Sequence, residues 1–111
     1  MSGQVSRNVV AFLNKHVDHV VKLEFLLAVH AAPSATTTVP MAARQLDIPR
    51  GQVRTMADEL AQDGVLRISS DRIELAPSSV ETRWAISDLA SIYGRDRQLV
   101  LDVLKSLGRT S

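Results

Sequence analysis

The tripeptide D-I-P at positions 47–49 lies between two stretches of helical pattern and separates them. Aspartate tolerates the left-handed backbone that tight turns need, whereas proline cannot continue a helix but suits the first turn of a new one. Upstream, Thr38 can cap a helix that has Pro40 in its first turn and ends at Leu46. These residues predict a short helix, a tight turn and a second helix that begins at about Pro49.

The second helix of this pair is expected to bury one apolar stripe and to end near a glycine. Its apolar positions are Val53, Met56, Ala57 and Leu60. Gly64 follows as a C-cap. Two β-prone runs, 65–69 and 72–76, then flank a short polar turn at Ser70 and Asp71, which is typical of a hairpin. Before the helix pair, the threonines at 36–38 favour a loop or a short strand.

Helical patterns also precede this region. A first amphipathic helix is predicted over about Gln4–His16. A second extends from Asp18 as N-cap to a point before Pro33, and it is apolar around most of its circumference. A helix of that kind is surrounded by other elements, so we expect it to lie at the core.

The C-terminal segment is helical in pattern from Ser78 or Ser79 to about Gly108, and Glu81 allows a capping box with Ser78. Gly94 and the charged residues after it interrupt the apolar stripe, so the segment forms either one long helix with a weak point or two helices. Five residues recur close to a heptad seam, namely Leu89, Tyr93, Val100, Val103 and Leu107. This helix is the candidate surface for a homodimer; the alternative is that it packs on its own domain.

The order of extended segment, short helix, tight turn, longer helix and hairpin resembles the winged helix-turn-helix superfamily. Within it, the sequence is similar to bacterial regulators of the general MarR-like kind, most clearly in VPMAARQLDIPRGQVRTMADELAQDGVLRISSDRIELAP. The resemblance covers residues 36–77. We therefore expect an α+β, mostly helical fold with the helix-turn-helix at about 38–64 and the wing at 65–76. Residues 1–77 would hold two N-terminal helices and this motif, and residues 78–111 a helical extension of the same domain.

The resemblance implies sequence-specific binding of double-stranded DNA in transcription control, with the second helix of the motif in the major groove. The candidates for base contact are Arg50, Gln52, Arg54 and Thr55, since Arg pairs with guanine and Gln with adenine. The candidates for phosphate contact lie on the preceding helix and in the wing, and they are Arg44, Gln45, Arg67 and Arg72.

Two other interpretations of these residues remain open. Arg54 can pair with Asp58 one turn later, in which case it serves the helix rather than a ligand. The second helix carries two arginines against three acids, and a fold alone does not fix a function. A winged helix that contacts protein and no nucleic acid is therefore the alternative.

Charge and composition limit the remaining classes. The formal net charge is +1, but residues 1–54 hold six basic against three acidic residues and residues 55–111 seven against nine, so an anion-binding face must be local. The chain has no cysteine, and it shows no nucleophile motif, phosphate loop or paired carboxylates. We expect no enzyme activity, no cofactor and no metal site, with capping or surface roles for His16, His19 and His30. We also expect a cytoplasmic protein without a membrane segment.

Overall fold

The computed structural model describes residues 6–108, which form an α+β, mostly helical structure as predicted. In this part of the chain the helices are α1 Arg7–His16, α2 Val20–Ala31, α3 Val39–Leu46, α4 Arg50–Gln62, α5 Val80–Arg95 and α6 Arg97–Ser106. The strands are β1 Thr36–Thr38, β2 Leu66–Ser69 and β3 Arg72–Leu75. The predicted start of the first helix at Gln4 lies outside the described residues.

The described residues group into two compact units. The central unit is 24–78, and the terminal unit combines the described parts of 1–23 and 79–111. The central unit contains most of α2 together with β1, α3, α4, β2 and β3. The terminal unit contains α1, the first residues of α2, α5 and α6.

A three-stranded antiparallel sheet lies in the central unit, in the order β1-β3-β2. The predicted hairpin is confirmed, because Ser69 pairs with Arg72 and leaves Ser70 and Asp71 as a two-residue turn. Ser70 has a φ of 56°, the left-handed conformation that such turns use. The threonines before α3 form a strand rather than a loop, and Thr37 pairs with the central β3 residue Ile73.

The predicted pair of helices around the turn at 47–49 is also present. Thr38 caps α3, since its Oγ1 accepts a hydrogen bond from the backbone N–H of Met41 at 3.3 Å. Asp47 has φ 56° and ψ 51°, and the N–H of Ile48 then donates to the carbonyl of Ala43 at 3.1 Å. The chain thus leaves α3 through one left-handed residue and enters α4 after Pro49.

Gly64 reverses the chain between α4 and β2. Asp63 is the C-cap of α4, and Gly64 follows it with a φ of +79°, a conformation that L side chains rarely adopt. A Cβ at this glycine would lie 2.7 Å from Ser78 Oγ, and the N–H of Ser78 donates to the Gly64 carbonyl at 2.8 Å. Both backbone angle and space therefore require glycine here.

The core of the central unit forms where α2, α3 and α4 supply apolar side chains. The predicted stripe of α4 is fully buried, and so are the α2 residues of this unit at 25, 26 and 29. Ala42 and Ala43 of α3 are buried beside them, as is Ile73 at the centre of the sheet. Burying α4 on this side leaves its other side, with Arg50, Gln52 and Arg54, in solvent.

The predicted N-cap of α2 and the predicted capping box of α5 are wrong by one residue, while the start of α5 at Ser78 or Ser79 is confirmed. The first turn of α2 is capped by His19, whose Nδ1 accepts from the N–H of Lys22 at 3.4 Å, while Asp18 lies 3.7 Å from the Lys22 ammonium. The N-cap of α5 is Ser79, whose Oγ accepts from the N–H of Thr82 at 3.1 Å. The capping box between Ser78 and Glu81 is therefore not formed.

The C-terminal segment forms two helices, and Asp96 divides them. Asp96 ends α5 with φ −148° and ψ 81°, and its Oδ1 caps α6 by accepting from the N–H of Leu99 at 3.2 Å. Leu89 and Val100 of the predicted seam are fully buried within this chain. A continuous heptad seam is therefore absent over 80–106, and the homodimer stays a prediction.

Candidate nucleic-acid interface

The first turn of α4 is open to solvent and carries no negative charge. Arg50, Gly51 and Gln52 are all exposed, and none of the first-turn residues is acidic. Pro49 makes no side-chain cap, so the first amide groups of the helix have no side-chain acceptor. Among residues 6–108 Arg50 makes no ion pair, and its charge is available to a ligand.

Arg54 binds the turn of the hairpin. Its Nη2 donates to Asp71 Oδ1 at 2.5 Å, and both side chains are about half exposed. Pairing of Arg54 with Asp58, the alternative drawn from helical spacing, is not what the structure contains. The bond links residues 17 positions apart and holds the turn of the hairpin beside the exposed side of α4.

The two cations of the hairpin share one carboxylate. Arg67 lies opposite Glu74 in the strand pairing with its Nη1 4.0 Å from Glu74 Oε1, and Arg72 Nη2 lies 3.7 Å from Oε2. Glu74 is only 33% exposed, whereas the arginine side chains extend into solvent. The positive charges of the hairpin arginines are therefore partly neutralised by Glu74.

The other predicted contacts lie on exposed surfaces. Arg44 and Gln45 are exposed on α3, and Arg44 makes no ion pair in the described part of the chain. Thr55 is exposed on α4, but its hydroxyl already donates to the carbonyl of Gly51 at 3.0 Å. The predicted cations thus fall into two groups: those without an ion pair, at 44 and 50, and those held by acids of the hairpin, at 54, 67 and 72.

Asp71 and Glu74 form ion pairs with the predicted contact residues, and the sequence analysis did not predict them. Both oppose binding of an anion, because each holds a predicted contact residue. The signal for Glu74 was present in the sequence: a two-residue turn at 70–71 fixes the register that sets Arg67 opposite it. Nothing comparable indicates the bond of Asp71 to Arg54, which depends on tertiary structure.

Two of the three histidines, His16 and His19, have local roles in the terminal unit. His16 is buried with its ring 4.9 Å from that of Phe12, and His19 caps α2. Over residues 6–108 no group of three or more His, Asp and Glu side chains is arranged to hold a metal ion. No helix in the same range has the length and apolar character needed to cross a bilayer.

No family model matches this sequence, and no curated protein matches it either.

Proposed function

We propose that residues 36–76 form a winged helix-turn-helix that binds double-stranded DNA through the N-terminal half of α4. The observation that carries the proposal is the exposed first turn of α4, with the unpaired Arg50, beside a hairpin whose turn is held against the same helix through Asp71. A duplex that contacts this end of α4 also meets the hairpin.

Base contact falls to Arg50 and Gln52. A major groove admits one α-helix, and α4, with 13 residues, is about 20 Å long. Gly51 lies between these two side chains, and a Cβ at this position would meet nothing within 4 Å. The fold does not need glycine here, whereas a glycine lets a base edge or a phosphate approach the helix backbone closely.

The acids of α4 define how the helix enters the groove. Asp58 and Glu59 are exposed in its second half and repel phosphate. The helix therefore presents its first two turns to the DNA and keeps the remainder away from the backbone, an end-on orientation also favoured by the positive end of the helix dipole.

Phosphate contact falls to Arg44 on α3 and to the arginines of the hairpin. Arg44 has no ion pair to break before it contacts phosphate. Arg67 and Arg72 each give up their contact with Glu74 and contact phosphate oxygens instead. Arg54 keeps its bond to Asp71 and positions the hairpin. With few unpaired cations per chain, binding is weak, and its affinity falls as salt rises by a slope of about −0.9 for each phosphate contact. The biological role proposed is transcription control, as in the MarR-like regulators that the sequence resembles.

A protein-interaction module without DNA is the second candidate, and one observation favours it. Met41 of α3 is 62% exposed and borders a recess of about 280 Å³ lined by small residues, including Ala28, Ala32 and Thr37. Exposed apolar side chains beside such a recess suit a protein partner better than a nucleic acid. This surface involves different residues from the first turn of α4, so the two candidates can be separated.

Fluorescence anisotropy with a labelled duplex at low and rising salt tests the proposal. We expect binding whose affinity falls as salt rises, with a slope of about −0.9 in log K against log salt for each phosphate contact. This binding is lost in Arg44→Ala/Arg50→Ala, because the variant lacks both unpaired arginines of the site. Arg83→Ala/Lys105→Ala removes two exposed cations from the terminal unit and is the matched control, with unchanged binding. Absence of binding at the lowest salt, or equal binding by the double variant, refutes the proposal.

A further inference from the structure

Exposed residues recur along one side of α5 at alternating spacings of four and three positions, from its first turn to its last. We call it the α5 face, and its members are Val80, Trp84, Ser87, Ser91 and Gly94. Val80 is 65% and Trp84 63% exposed, although both are large and apolar. The opposite side, with Ala85, Ile86, Leu89 and Ile92, is buried in the terminal unit. The α5 face thus has a bulky apolar half followed by a half of small residues.

Gly94 gives an independent indication that something covers this face. Its φ is not in the left-handed region, and a Cβ placed on it would meet nothing within 4 Å. Gly94 is the second-last residue of α5, and at a helical position glycine is less stable than alanine would be, so the backbone conformation of the chain itself does not require it. Close approach of another molecule to the helix backbone does explain it.

We propose that the α5 face binds the α5 face of a second copy of the chain in antiparallel orientation, about a two-fold axis near Ser87. In this arrangement Val80 lies opposite Gly94 of the second copy and Trp84 opposite Ser91. Each large side chain then meets a small one, which lets the two helices approach closely. A parallel pair would instead set tryptophan against tryptophan and leave a gap at the glycines.

The charges beside the face favour the same orientation. Glu81, Asp88 and Arg95 are exposed on one flank at intervals of seven residues, and none of them makes an ion pair among residues 6–108. The antiparallel pair brings Glu81 opposite Arg95 of the second copy, twice by symmetry. A parallel pair would face this flank with the opposite one and would keep Glu81 and Arg95 of the two copies apart. Asp88 lies nearest the axis, opposite Asp88 of the second copy, and the repulsion between these two carboxylates weakens the dimer.

The association is expected to be weak. Helix α5 has 16 residues and is about 24 Å long, so two such helices bury less than the roughly 1,200 Å² of a standard interface. We therefore expect a dissociation constant in the micromolar range. This dimer does not depend on DNA binding, and it uses different residues from the seam predicted over Leu89–Leu107.

Sedimentation velocity over micromolar to near-millimolar concentrations tests the proposal on the full chain. We expect a monomer–dimer equilibrium, and a blue shift of tryptophan emission with concentration, because Trp84 is the one tryptophan in the sequence and becomes covered. A chain that remains monomeric throughout, with constant emission, overturns the proposal.

Gly94→Ala separates docking from folding. We expect the Tm to rise by roughly 3–6 °C, as alanine favours the helix, while the dissociation constant increases about tenfold or more, as its methyl group holds the helices apart. Gly51→Ala is the matched control, since that glycine is also helical, exposed and without a neighbour within 4 Å, and it leaves association unchanged. If both variants associate like the parent chain, the α5 face is not the contact.

A charge reversal tests the orientation. Glu81→Arg is expected to weaken the dimer, and Glu81→Arg/Arg95→Glu to restore it, because the pairs are re-formed with the charges exchanged. Asp88→Asn is expected to strengthen it by removing repulsion near the axis. Failure of the double reversal to restore association, with the fold intact by circular dichroism, contradicts the antiparallel pairing.

Discussion

Replacing Glu74 by glutamine tests whether the hairpin limits its own affinity for phosphate. Glu74 lies within 4.0 Å of Arg67 and 3.7 Å of Arg72, and it is the acid that both arginines share. Glutamine has nearly the same shape and no charge. In Glu74→Gln both arginines therefore lose their counter-charge while the strand pairing is kept.

The expected effect on the fold is small and the effect on binding is large. Exposed ion pairs of this kind contribute about 0–1 kcal/mol each, so the Tm stays close to that of the parent chain. For DNA, one fewer negative charge and two released arginines make the slope of log K against log salt steeper by about 0.9 to 1.8. The steeper value means that the affinity loss between about 50 and 200 mM salt becomes roughly twelvefold larger.

Anisotropy titrations of parent and variant at four or more salt concentrations measure both slope and affinity. Asp102→Asn removes one negative charge from α6 in the terminal unit and is the control for net charge alone. If Glu74→Gln binds with the slope and affinity of the parent chain, or binds more weakly while its Tm is unchanged, the hairpin arginines do not contact phosphate.

Three stability predictions follow from the caps and the chain reversal, each read from thermal or urea unfolding. Thr38→Ala removes the α3 cap and is expected to cost about 1 kcal/mol, whereas Thr36→Ala, in the same strand, removes only an exposed hydrogen bond to the Ser34 carbonyl and costs less. Gly64→Ala forces alanine to a φ of +79° and its Cβ against Ser78, so a loss of about 1–3 kcal/mol is expected and an unchanged midpoint would contradict the assigned turn. Asp96→Ala removes the α6 cap for about 1 kcal/mol, and no loss would mean that α6 is held by its apolar side alone.

The parts of the fold that local chemistry determines could be predicted from the sequence. Asp47 takes the left-handed conformation and Pro49 precedes a new helix, as their side chains and ring require. Gly64 has a positive φ for the same kind of reason. The exact capping residues were harder to predict, because a neighbouring side chain can accept the hydrogen bond from a first-turn amide group instead. Ser79 does so in α5 and His19 in α2.

What the sequence could not determine depends on distant contacts. The bond of Arg54 to Asp71 spans 17 positions, so helical spacing suggested Asp58 instead. The heptad recurrence from Leu89 to Leu107 could not distinguish packing within one chain from packing between two chains. Leu89 is in fact buried within its own chain. In the candidate site, the residue types were visible in the sequence while their pairing was not.

A residue-resolved NMR titration of the full chain with a duplex at low salt tests whether α4 and the hairpin bind DNA. We expect amide shifts to concentrate at Arg50, Gly51 and Gln52 and at the hairpin turn, Ser70 and Asp71, and to decrease as salt rises. Shifts confined to other residues, such as those around the exposed Met41, or no shifts at all, would contradict this expectation.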